Sequence, residues 1–289
     1  MYQLFCDTNS EIPFEWAEEL GLGVIRMPYT IGGREYLYDL GRETDFKAFF
    51  DRVRKGEMPQ TQGLNEQNYS DAFRPCLEQG KDILMISFSE ALSSTHQFLE
   101  KARQALLEEF PQRRFEVVNT LSISMGAGIL VLKAAQLWKE GADIDAVKSW
   151  VEENRQHSQA WFTVDDLNHL KRGARLSAAA ATMGTLLDLK PVLTVNREGK
   201  LVVSQKVKGR KRALRALADA FDALAQNPEE GVVSILHADA IEDARLLADM
   251  LQEKHKIGTL RIDFVGPVVG THCGPGTIGL CFMGAERKN

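Results

Sequence analysis

Hydroxyl side chains gather in two places where a ligand could be held. Ser87-Phe88-Ser89, leading to Ser93-Ser94-Thr95, follows one apolar run, and Thr120 with Ser122 and Ser124 follows another. Both runs read as buried strands, and loops at the carboxyl ends of parallel strands aim hydroxyls and N–H groups at one point. Thr61, in a stretch after Pro59 with no regular period, is a third candidate. Each has a plainer reading as well. Ser93 and Ser94 stand just before a helical pattern and can cap it, and Thr61 can be an ordinary loop threonine. Read as a site, the helix N-terminus would hold an anionic head group while a serine hydroxyl donates to it.

Residues 265–276 hold four glycines, two prolines and His272. A glycine-rich loop of this kind lets backbone approach a ligand closely. His272 could donate to a carboxylate or be a satisfied loop histidine. Its neighbour Cys273 hints at metal or thiol chemistry, but the spacing to Cys281 and the lack of other nearby ligands argue against zinc. No G-x-S-x-G elbow and no Walker A loop occurs, and Gly126-Ala127-Gly128 lacks the third glycine of a dinucleotide fingerprint. Asp165 and Asp166 are adjacent, so their side chains diverge in regular structure and solvation or capping explains them. The basic run Lys206, Lys208, Arg210, Lys211 and Arg212 reads as a solvated face or, on an acidic protein, as a dock for an acidic partner or phosphate.

The elements that must position these residues alternate. Residues 2–7 read as a strand, and residues 13–20 as a helix. Residues 23–39 read as a hairpin turning at Gly32-Gly33. Thr44 is the expected N-cap of a helix whose Phe46, Phe49, Phe50 and Val53 share one face, ending at Gly56. Strands are predicted at 82–87 and 115–118, helices at 95–110, 126–138 and 143–156, which implies a parallel sheet covered on both faces. Beyond a boundary near residues 154–159, strands at 161–164, 192–195 and 201–204 include a hairpin at 196–199. Helices at 212–225 and 241–255 and strands at 232–237 and 260–265 follow. The expected fold class is therefore α/β in two domains, residues 1–158 with a parallel sheet and residues 159–289 with a mixed one.

Composition agrees. At 289 residues two domains are expected, since domains run to about 100–200 residues. A hydrophobic content of 44% with 26% charged residues is that of an ordinary globular chain, and a formal charge of -5 argues against nucleic-acid binding by bulk charge. Four cysteines without a C-x-x-C pair and no signal peptide point to free thiols in a reducing cytoplasm. The longest apolar stretches, including residues 186–195 with Asp188 and Lys190, fall short of a membrane span.

Several of these segments together resemble the DegV family of fatty-acid-binding proteins. The resemblance runs from Cys6-Asp7-Thr8-Asn9-Ser10-Glu11-Ile12-Pro13 through Leu92-Ser93-Ser94-Thr95-His96-Gln97, similar to the family's L-S-G-T-Y-Q. It continues through residues 167–177, with Arg172-Gly173-Ala174-Arg175-Leu176-Ser177, and the following Lys190-Pro191, to residues 266–276, close to G-x-V-x-G-x-H-x-G-P-G, and Gly279-Leu280-Cys281-Phe282. It implies a DegV-like two-domain fold with a long acyl chain in an internal tunnel and its carboxylate at the interdomain cleft. Carried over by motif, the head-group residues are Thr61, Ser93 and His272, with Ser94 beside them. Arg175 is implied as a head-group or kinase contact, or a plain surface ion pair, and Lys208 and Arg210 as docking residues. The resemblance also implies a monomeric bacterial carrier without cofactor or metal. It would present its fatty acid to a fatty acid kinase for acyl-phosphate formation, feeding phospholipid synthesis, with transient membrane contact. The alternative is a small-metabolite phosphotransferase or hydrolase using His272 and the serine loops. Departures from the family pattern are Gln62-Gly63-Leu64 after Thr61, Ser94 and Ala174 in place of glycines, and Asn119-Thr120 for Asp-Ser.

Overall fold

A computed structural model describes residues 1–176 and 189–288. Ser177 of the basic motif and residues 186–188 of the long apolar stretch lie outside the described residues. Among the described residues no helix is long and apolar enough to cross a membrane.

The first half opens with β1 (Tyr2–Asp7), a short 3-10 turn, the helix Phe14–Leu20 and β2 (Gly23–Ile25). A hairpin of β3 (Pro28–Ile31) and β4 (Arg34–Leu37) follows, and β5 (Gln60–Thr61) adds to it as a third antiparallel strand. Gly32 and Gly33 make its turn with φ of 58° and 73°, left-handed values that glycine adopts without strain. The expected hairpin is thus present but shorter than 23–39, because β2 leaves it to pair in parallel with β1. β6 (Asp82–Ser87) and β7 (Phe115–Asn119) complete a four-stranded parallel sheet in the order β2-β1-β6-β7.

Asp45, not Thr44, caps the helix Phe46–Arg54: the Asp45 carboxylate accepts from the Ala48 N–H at 2.9 Å, and the Thr44 hydroxyl instead donates to Asp39 at 2.5 Å. Phe49, Phe50 and Val53 are buried as the stripe predicts. Helices Glu66–Glu78, Thr95–Glu109, Met125–Lys139 and Ile144–Asn154 fill the rest of this half.

The second half builds a six-stranded sheet, β10-β9-β8-β13-β11-β12, from β8 (Ser158–Thr163), β9 (Leu189–Val195), β10 (Leu201–Lys208), β11 (Val232–His237), β12 (Thr259–Phe264) and β13 (Ile278–Met283). Only the β11–β12 pair is parallel. Helices Arg210–Leu224 and Ile241–Gln252 cover one face, burying Leu214, Leu217, Phe221, Leu247 and Leu251. The other face shares a continuous hydrophobic cluster with the first half, including Leu193, Val195, Leu201 and Leu236. That shared apolar layer places a cavity between two sheets that belong to different halves of the chain.

Residues 265–276 are not a loop throughout. They contain the helix Pro267–Cys273, opened by Pro267 at its first position, where a missing N–H costs nothing. His272 therefore projects from a helix.

Candidate functional site

Between the halves lies a cavity of about 290 Å³. It is about twice the ~150 Å³ of an engineered cavity that holds benzene. Its deep wall is apolar and buried, with Met27, Phe88, Ala160, Leu236, Val268 and Cys281 among its residues. Its outer rim is polar: Thr61, Gln62, Ser93, Ser94, Arg175 and His272 line it, and Gln62 and Ser94 are exposed.

Short local segments hold the rim. Thr61 sits on β5, in register with Tyr29 of β3. Its Oγ1 lies 2.8 Å from His272 Nε2, a bond across 211 positions of sequence. Burial, with the nearby Arg175 guanidinium adding to it, depresses His272 to about 4, so the ring is neutral near pH 7 and can share a proton with the threonine hydroxyl. Gly173 makes room for the imidazole: a Cβ there would stand 2.3 Å from Nδ1.

Ser93 follows the 3-10 turn Glu90–Leu92, and its Oγ accepts from the Thr95 N–H at 3.2 Å. Ser94 occupies the N-cap position of the helix Thr95–Glu109 but makes no side-chain cap. The capping reading therefore fits Ser93 in part and fails for Ser94. Thr95 ties the two rim loops together, donating to the Leu64 carbonyl at 3.2 Å while sharing a 3.1 Å bond with the Tyr69 hydroxyl. Arg175 Nε donates to the Leu92 carbonyl at 3.1 Å, and its guanidinium also reaches the Gly173 carbonyl. Both acceptors are neutral, and among the described residues Arg175 has no ion pair. A half-buried cation bonded only to carbonyls leaves charge available to an anion at the rim.

Most of the remaining strand-end hydroxyls do structural work, while Ser122 Oγ is buried without a hydrogen-bond partner among the described residues. Ser87 donates to the Phe88 carbonyl and bonds His96, Ser89 donates to Gly199 across the halves at 2.8 Å, and Thr120 donates to Ser87 at 2.9 Å. Lys208 is exposed at the end of β10, and Arg210 is engaged by Asp243 and Asp165; neither lines the cavity. Asp165 also pairs with Lys190 at 2.8 Å, and Asp166 accepts from the Asn168 N–H. All four cysteines are free and buried, and burial pushes Cys273 and Cys281 up to about 12. Their thiols are thus protonated and poor nucleophiles. Among the described residues no three His, Cys, Asp or Glu side chains are placed to hold a metal ion.

Across its length the chain matches one family model, DegV, described as an uncharacterised protein family, over residues 1–285. The chain belongs to the DegV family. It is 39% identical over 287 residues, 99% of each chain, to a DegV domain-containing protein of Clostridium perfringens. A DegV family structure from Thermus thermophilus, described by its fatty acid binding, is similar with a TM-score of 0.85 and 31% identity over 98% of this chain and 99% of that one. A fatty acid binding DegV family protein from Streptococcus agalactiae gives a TM-score of 0.84 at 28% identity, covering 100% and 99%.

Two departures from the DegV pattern now have a physical reading. Ala174 sits at φ 53°, so the position keeps the left-handed backbone that glycine adopts freely. Asn119 accepts from the Leu121 N–H at 2.8 Å, a local turn that any side-chain carbonyl or carboxylate in its place would make.

Sequence reading missed the buried carboxyls behind the deep wall. Glu11 is 4% exposed; its Oε1 accepts from the Gly266 N–H at 2.6 Å and its other oxygen bonds the Ser124 hydroxyl. It joins the first half to the start of the helix that carries His272. Burial pushes Glu11 up to about 8 and Asp7 up to about 7. The signal available in sequence was two carboxylates, Asp7 and Glu11, in the short stretch Asp7 to Ile12 between apolar neighbours, with no cationic neighbour.

Proposed function

We propose that this protein binds one long-chain fatty acid, with the acyl chain in the interdomain cavity and the carboxylate at its polar rim. The observation that carries the reading is the pairing of a buried apolar cavity with a rim on which Thr61 and His272 bond each other beside Ser93 and an Arg175 that has no ion pair among the described residues. The relatives from Thermus thermophilus and Streptococcus agalactiae, described as binding fatty acids, support it. Thr61 and neutral His272 spend one of their two protons on each other and supply one donor between them, Ser93 and Ser94 supply hydroxyl donors, and Arg175 supplies positive charge.

The magnitudes divide the labour. Burying about 16 carbons at ~0.8 kcal/mol per methylene is worth on the order of 10 kcal/mol, so the tail dominates affinity. A charge-assisted hydrogen bond contributes ~1.5–3 kcal/mol, enough to decide which end faces out. With Ser94 and Gln62 exposed, a carboxylate at the rim is reachable from solvent.

In this reading the protein is a monomeric cytoplasmic carrier with two domains meeting near residue 158. It presents the carboxylate to a fatty acid kinase, which transfers the terminal phosphate of ATP to a carboxylate oxygen, and the acyl phosphate enters phospholipid synthesis. The exposed Lys208 is the docking cation we favour. Arg210, held by two aspartates, orients the surface around it. The hydrolase alternative lacks support in geometry: His272 bonds a threonine, and among the described residues no carboxylate backs its ring to make a serine–histidine–acid relay.

Mass spectrometry of lipid extracted from the purified protein tests the first step, with one equivalent of fatty acid expected. Acyl-phosphate formation on addition of a fatty acid kinase and ATP tests the second. Turnover of small esters or phosphates by the isolated protein, with no lipid extracted, would overturn the carrier reading.

A further inference from the structure

The deep wall contains one polar side chain that the fatty-acid reading leaves unused. Asn9 lines the cavity and is 4% exposed, yet its Oδ1 is buried with no hydrogen-bond partner among the described residues. Its main chain is clamped on both sides: the Asn9 N–H donates to the Asp7 carboxyl at 2.9 Å, and its carbonyl accepts from the Ser124 N–H at 2.8 Å. The residue is not free to swing its carboxamide out to solvent. Neighbouring hydroxyls on this wall are already committed, Ser124 to Glu11 and Thr277 to the Cys273 and Gly274 carbonyls.

A carboxamide offers two N–H donors and an acceptor oxygen, and burying it against a plain hydrocarbon leaves those groups unsatisfied. A hydroxyl on the occupant satisfies either orientation of the amide, since it both donates and accepts. Position along the chain follows from the helix Pro267–Cys273. Asn9 adjoins Ser124, and Ser124 with Glu11 meets Gly266 at that helix's start, while His272 stands at its far end. Six residues at ~1.5 Å rise put about 9 Å between them. An oxygen that reaches Asn9 is therefore near the middle of the acyl chain.

We propose that Asn9 reads a mid-chain hydroxyl, so that the preferred ligand class is a hydroxylated long-chain fatty acid. This inference rests on the fatty-acid reading above. The test is displacement of a fluorescent fatty acid from lipid-stripped protein by stearic acid and by three hydroxystearic acids, with the hydroxyl beside the carboxylate, at mid-chain or at the tail. The mid-chain isomer is expected to bind about tenfold tighter than the other two isomers and tighter than stearic acid. Asn9→Leu is expected to remove that advantage while binding stearic acid at least as well as the parent. Should the leucine variant fail to fold, Asn9→Ala must show the same loss. A parent protein that ranks the mid-chain isomer at or below stearic acid overturns the inference, as does a preference that survives both substitutions. If stearic acid binds and no hydroxy acid is preferred, only this inference falls. If none of the four acids binds, the fatty-acid reading falls with it.

Discussion

The rim and the deep wall of the cavity are built by opposite means. At the rim, a two-residue strand, the residue after a 3-10 turn and a seven-residue helix each contribute one polar side chain, and cross-links such as Thr61 to His272 and Thr95 to Leu64 hold them together. At the deep wall, long strands of the second sheet and helix-bearing loops of the first supply apolar surface, and the polar groups present are fully buried. Surface exposed at the rim can exchange bonds with water, so its chemistry is cheap to build and easy to alter. Polar groups in the deep wall have no such exchange, so each finds an internal partner, shifts its proton equilibrium or, like the Asn9 carboxamide oxygen, is left unpaired.

The largest test of this contrast fills the deep end. Val268→Trp puts an indole where buried Val268 lines the deep wall. Displacing about four methylenes at ~0.8 kcal/mol each predicts a loss of fatty acid affinity of roughly a hundredfold or more, with unchanged far-ultraviolet circular dichroism. Retained lipid at the parent level would show that the acyl chain runs elsewhere. At the rim the effects should be smaller per residue. Thr61→Ala and Ser93→Ala are each expected to weaken binding by about tenfold to a hundredfold, at ~1.5–3 kcal/mol per bond, and to impair acyl-phosphate formation without lowering the melting temperature appreciably. Equal affinity and kinase coupling in the double variant would separate the rim from the head group.

pH separates the two regions by sign. Glu11 rises from the ordinary carboxyl value to about 8 in the fold, so the folded state binds the proton more tightly than the unfolded chain. Its contribution is fully present below pH ~4.5 and declines until pH passes 8. His272 is depressed to about 4, so its contribution is intact above pH ~6.5 and is lost as pH falls toward 4. Denaturant titrations across that range should show Glu11→Gln, an isostere of the neutral acid, reducing the alkaline decline to the part due to Asp7, raised to about 7, and leaving the acid limb alone. An unchanged alkaline limb would mean that the latch to Gly266 does not depend on a neutral carboxyl. The smallest expected effect is Ala174→Gly beside the rim. Relief of a left-handed alanine should raise stability by about 0.5–1 kcal/mol in chemical denaturation, less the entropy glycine adds to the unfolded chain.

Much of the frame was legible because hydrophobic period reports local structure. The β6 strand and the stripe of Phe49, Phe50 and Val53 follow from which side chains avoid water. Errors fell where an adjacent residue competes for the same role, as when Asp45 took the cap from Thr44, whose hydroxyl is committed to Asp39. Glycine content misled at residues 265–276. Gly270 reads as a helix breaker, but it packs against Phe49 and Phe50, and that contact holds the helix that carries His272. Thr61, Ser93, Ser94 and His272 could be shortlisted from loop position and side-chain chemistry, and Arg175 by motif, but nothing local ties a threonine to a histidine 211 residues later.

Taken alone, the order of residues determined the alternation of strands and helices, the family, and a shortlist of polar side chains. Those depend on local propensity and on patterns that one strand or one helix expresses by itself. Tertiary structure decided that two sheets would leave a cavity between them, that Thr61 and His272 would share a bond at its rim, and that Glu11 and Asn9 would be shut in behind it. Burial and proton affinity are properties of what surrounds a group on every side, and most of those surroundings come from distant parts of the chain.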